Sequence, residues 1–162
     1  MRQVSSNARS WVFALTERER DFLVAVLQAY PSVPHDHRSL SRESADRLSA
    51  DDHALLSEAL LEHRAGSKAK VRRWLKGGAR FRQSEDQWQF SLARRDFDWM
   101  LQILNDVRVG NWIELGSPDD VHNPIELLQK DPAAFFYMEA AGMFQMQFME
   151  VVRQMDGESN SE

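Results

Sequence analysis

The apolar positions of this chain change period several times, and each change marks an element. Trp11, Val12, Phe13, Ala14 and Leu15 form a short run rich in strand formers, which predicts a strand over 11–15. Residues 1–9 before it are polar and are expected to be disordered. Thr16, with Glu19 three residues on, is a capping box that opens a helix. Phe22, Leu23, Val26, Leu27 and Tyr30 keep the helical period on one face, and Pro31 stops it.

Residues 31–49 lose the period and read as a loop, with one short helical turn near 42–48. Ser49, followed by Asp51 and Asp52, is a helix start. Leu55, Leu56, Ala59 and Leu60 give that helix an expected buried stripe. Gly66 reads as its stop, Ser67 as a new cap, and the next helix runs to about Lys76. Gly77–Gly78 is the hinge into a hairpin over about 79–92. There Phe81 sits on one strand, and Trp88, Phe90 and Leu92 alternate on the other. A two-residue loop sets Phe81 opposite Trp88, and a four-residue loop sets it opposite Phe90. Either register leaves Arg80, Arg82, Gln87 and Gln89 on the wet face.

Asp96 opens a long helix on which Phe97, Met100, Leu101, Leu104 and Val107 recur, and Gly116-Ser117-Pro118 ends it. A loop follows, with a short helix at 124–129. Asp131-Pro132 pairs a cap residue with proline at the first helical position. The last helix, about 132–155, is apolar on more than one side. Residues 156–162 are expected to be a disordered acidic tail. Together these elements predict a single α+β domain over 10–155, mostly helical, with a small hairpin joined by the 11–15 strand.

The 162 residues suit about one domain. There is no cysteine, which excludes disulfides and thiolate chemistry. The opening residues lack the apolar core of a signal peptide, and no run reaches the length of a membrane span. A cytoplasmic protein that does not insert in a membrane is the expectation. Charge changes the picture more. The chain carries a net charge of −5, yet residues 66–83 hold Lys68, Lys70, Arg72, Arg73, Lys76, Arg80 and Arg82 and no acid. The remainder therefore carries −12, and its two poles can meet a polyanion or each other.

The seven cations are a candidate nucleic-acid or anion site, since each phosphate neutralised releases counterions. Helix, break at 65–67, basic helix and hairpin is also the order of a winged helix–turn–helix. Against that reading, Glu85 and Asp86 would place acid at the wing tip. His35 and His37 flank Asp36, but His53, His63 and His122 complete no ligand spacing, so no metal site is expected. No nucleophile elbow, phosphate loop or zinc-protease motif is present, and carboxylate pairs such as Asp96/Asp98 and Asp119/Asp120 read as helix caps or loop positions. No enzyme activity and no cofactor are expected. Asn105, Asp106 and Arg108 interrupt an apolar helix and read as a buried polar clamp on the last helix, through Glu139 or Glu150, because a buried cation needs a carboxylate. Phe136, Met143, Met146 and Met149 are the candidate interface, either core or the contact of a homodimer or other protein partner.

The segments LNDVR at 104–108 and FFYMEAAGMFQMQFMEVV at 135–152 resemble a bacterial domain-of-unknown-function family best represented in actinobacteria. The likeness covers mainly residues 96–152. Val109-Gly110-Asn111-Trp112 departs from the family's pattern, which has more leucine-like residues there. The family's genes often lie near a Clp-protease adaptor. The resemblance implies a bacterial, cytoplasmic, non-enzymatic interaction module and transfers no site residues. A nucleic-acid-binding protein is the alternative.

Overall fold

A computed structural model provides the tertiary structure. It describes residues 1–6, 9–34, 50–76, 80–118 and 123–159, with ten elements in chain order. These are β1 (Arg2–Ser6), β2 (Ser10–Leu15), α1 (Glu17–Gln28), α2 (Ala50–Lys76), β3 (Phe81–Ser84), β4 (Gln87–Ala93), a 3₁₀ turn (Arg94–Asp96), α3 (Phe97–Glu114), α4 (Pro124–Lys130) and α5 (Pro132–Ser159). The fold is α+β and mostly helical, as the periodicity implies.

The strands form one antiparallel sheet in the order β1-β2-β4-β3. Strand alternation sends Trp11, Phe13 and Leu15 to the face that also carries Trp88, Phe90 and Leu92, because these residues are direct cross-strand partners. Helices cover that face. Phe13 stacks on Phe90 at 5.2 Å and meets Phe148 of α5 edge-on at 5.0 Å. Helix α3 packs along α5, burying Met100, Ile103, Leu104 and Val107 with Ala140, Ala141, Phe144 and Phe148.

Local chemistry positions the element ends. The Glu19 amide donates to Thr16 Oγ1 at 3.2 Å, and Glu19 Oε2 accepts from the Thr16 amide at 2.9 Å, so the capping box closes. Asp131 Oδ1 accepts from the Ala133 and Ala134 amides and caps α5. Asn123 caps α4 through the Ile125 amide. Gly116 leaves α3 with φ 88°, and Lys130 Nζ donates to the Leu115 carbonyl there at 2.7 Å.

Several expectations are corrected. Residues 2–6 are not frayed; they pair with β2, which as an inner strand hydrogen-bonds on both edges. Backbone pairing needs no apolar period, so the polar sequence concealed it. The acidic end is helical as far as Ser159, because α5 meets no proline and each added residue adds a hydrogen bond. The break at 65–67 is absent: α2 is one helix of 27 residues. A helical glycine costs only about 1 kcal/mol, and buried Ser67, Val71 and Trp74 hold the helix just beyond it. Leu55, Leu56, Ala59 and Leu60 are exposed, Leu55 at 66% and Leu60 at 54%. The stripe has the helical period, but few contacts tie α2 to the helical body. The hairpin combines the two anticipated registers: its loop is the two residues Glu85-Asp86, yet Phe81 faces Phe90. The turn sits one residue later than Phe81–Trp88 pairing requires, and Glu85 accepts φ 54° in it. Expectations for the 42–48 turn, Ser49, the Gly77–Gly78 hinge, the HDH segment and Asp119/Asp120 lie outside the described residues.

Candidate functional site

The seven cations of the basic stretch do not form one patch. On a helix turning about 100° per residue, Lys68, Arg72 and Lys76 fall about 40° apart, with Arg73 beyond them. All four are exposed, and none makes an ion pair with a described residue. Val71 and Trp74 form the buried stripe of α2. Lys70 lies about 60° beyond Arg73, at the edge of that stripe. Its ammonium is 2.7 Å from Asp96 Oδ1 and 4.2 Å from the centre of the Trp99 ring. Asp96 is thereby committed to Lys70 and makes no side-chain cap on α3. The Arg80 guanidinium lies 5.7 Å over the Trp74 ring. Phe81 meets Trp74 edge-on, so alternation turns Arg82, opposite Gln89, to the other face of the sheet.

Three of the four exposed cations line a groove near this stretch. This groove of about 430 Å³ runs between the C-terminal end of α1 and the last turns of α2. Leu27, Gln28 and Tyr30 form one wall; Lys68, Val71, Arg72, Leu75 and Lys76 form the other. Its floor is aliphatic with the Tyr30 ring, and three cations stand on one rim. Arg73 stands outside it. With the 65–67 turn gone, the winged-helix arrangement is gone too, since its recognition helix must be a separate unit.

The groove walls are held together by a polar cluster that the sequence reading placed incorrectly. Asn105 and Arg108 are exposed, and Arg108 Nη2 donates to Asn105 Oδ1 at 3.1 Å on the surface of α3. The Arg108 stem passes over Gly142 of α5. Asp106 is the inward member. Its Oδ1 accepts from the Ser32 amide at 2.7 Å and the Val33 amide at 3.3 Å. Its Oδ2 is 3.8 Å from Arg64 Nη2 on α2. Arg64 Nη1 also donates to the Val33 carbonyl at 3.2 Å, and the buried Tyr30 phenol lies near Asp106 and Ser67. The expected clamp on the last helix is replaced by an Asp106 contact that ties α3 and α2 to the segment after α1. The spacing within LNDVR could not reveal which polar residue faces inward; the rotation of α3 against α5 sets that.

The candidate interface on α5 divides. Phe136 is half-buried, 5.0 Å from Phe22 and 5.5 Å from Tyr137, and Met143 packs on the core. Met146 and Met149 are 69% and 58% exposed on the outer ridge. Glu150 at the end of that ridge pairs with Arg153 at 3.2 Å. Among the described residues no group of three His, Asp or Glu is placed to hold a metal ion, and no helix is long and apolar enough to cross a membrane. No protein-family model matches the chain, and neither a curated protein nor a solved structure matches it.

Proposed function

We propose that this chain is a non-enzymatic interaction module that works through protein contacts and self-associates along the outer ridge of α5. The exposed pair Met146 and Met149 carries the reading. They sit on a helix whose opposite face is core, and flexible thioether side chains suit a surface that must fit a partner. One ridge packed antiparallel on its copy gives a closed two-fold dimer without a second complementary surface. Sedimentation equilibrium of the full chain should give a concentration-dependent dimer that Met146→Glu with Met149→Glu converts to monomer. A strict monomer at high protein concentration would overturn the self-association.

A second reading, a nucleic-acid binder, keeps one favouring observation: four adjacent cations on one exposed arc of α2. Electrophoretic shift of mixed DNA and RNA at low salt tests it. Arg72→Glu with Arg73→Glu should abolish the shift, and absence of any shift with the parent chain rejects the reading.

A further inference from the structure

We infer that the groove between α1 and α2 is a docking site for an acidic, amphipathic helical segment of a partner protein. The inference rests on the reading of the chain as a protein-contact module and names the partner chemistry of one surface. Lys68, Arg72 and Lys76 are four residues apart, so they stand in a row with steps of about 6 Å. They line one rim of the groove and make no ion pair with a described residue. A partner helix with glutamates four apart presents carboxylates at the same step. Leucines three residues after each glutamate form a second row beside them, facing the partly exposed Leu75 with Leu27, Tyr30 and Val71 buried beneath it.

Two observations favour a peptide over a nucleic-acid strand. Sequence-tolerant binding of single strands relies on aromatic faces on which bases stack. Among the described residues the one ring lining this groove is Tyr30, which is buried. The molecule is also acidic as a whole, so a long polyanion that leaves the groove meets repulsion, whereas a short acidic helix ends within the cationic row.

The test titrates the full chain with a labelled helical peptide of about 14 residues, carrying three glutamates four apart and leucines between them. Anisotropy should show saturable binding that weakens with salt, and amide shifts should centre on Gln28, Val71 and Leu75. Lys68→Glu with Arg72→Glu and Lys76→Glu should weaken it roughly a hundredfold, with unchanged circular dichroism because all three are exposed. Arg82→Glu, on the far face of the sheet, should leave it within about twofold. Unchanged affinity in the triple variant, or equal loss in Arg82→Glu, overturns the site. Tighter binding of a single-stranded oligonucleotide of equal charge overturns the peptide assignment. Loss of self-association in the triple variant overturns it too, by placing a second copy in the groove. Peptide binding by a chain that sediments as a monomer supports the groove while rejecting α5 dimerisation, so the two readings fail separately.

Discussion

Asp106 Oδ1 on α3 accepts a hydrogen bond from the Ser32 amide at 2.7 Å, across 74 positions of sequence. One carboxylate thereby satisfies two consecutive amides, Ser32 and Val33, and faces Arg64. The groove depends on this contact, because it sets the end of α1 against α2.

Removing that carboxylate should cost more than one hydrogen bond. Asp106→Ala leaves two amides without their acceptor and Arg64 without its anion. A loss of about 2–3 kcal/mol is expected, measured by urea unfolding. Asp106→Asn keeps one acceptor and should lose less. A neutral Asp106→Ala would show that water satisfies the amides equally well.

Two glycines should respond in opposite directions. A Cβ at Gly110 would stand 2.4 Å from the Ser32 carbonyl carbon and 2.6 Å from the Val33 amide nitrogen, both backbone atoms. Gly110→Ala must push the segment after α1 away from α3, and about 1–3 kcal/mol of destabilisation is expected. A Cβ at Gly66 meets nothing within 4 Å. Gly66→Ala should stabilise by about 0.5–1 kcal/mol, through helix propensity and a less flexible unfolded chain. Thermal melts of both variants check the pair, and a destabilised Gly66→Ala would mean that α2 requires a bend there.

Tyr30 should give the protein an alkaline limb of instability. Burial raises its phenol above the usual 10.0, and the nearby Asp106 charge raises it further. The unfolded chain therefore ionises first, while the native state keeps the proton. This contribution to stability is complete below pH about 10 and is lost as pH rises through the higher folded pKa. Tyr30→Phe cannot ionise, so its melting temperature should fall less between pH 9 and 11 (roughly the range that brackets the phenol). Parallel pH profiles for the two proteins would remove Tyr30 from the account.

The capping box gives a local counterpart. Thr16→Ala removes the acceptor of the Glu19 amide at 3.2 Å and should cost about 1 kcal/mol. Thr16→Ser keeps the oxygen and should cost less. Equal losses in chemical denaturation would assign the effect to the methyl group.

Much that acts within one turn of chain was legible in the residues alone, though Gly66 does not stop α2 and Asp96 makes no side-chain cap on α3. Thr16 with Glu19, Asp131 with Pro132, and Gly116 each act on amides or carbonyls within a few positions, so their chemistry marks helix ends in any context. Alternation of Phe81, Trp88, Phe90 and Leu92 likewise defines the hairpin's core face. Tertiary packing decided the rest. Whether a helix continues through Gly66 depends on the anchors Ser67, Val71 and Trp74 that follow it. Whether Asp106 or Arg108 turns inward depends on the rotation that buries Ile103, Val107 and Gly110. Whether seven cations act together depends on Asp96 and Trp99 claiming Lys70, and on the strand turning Arg82 away. A charge row seen in one dimension becomes a groove rim only when another element supplies the opposite wall, and here that element is α1.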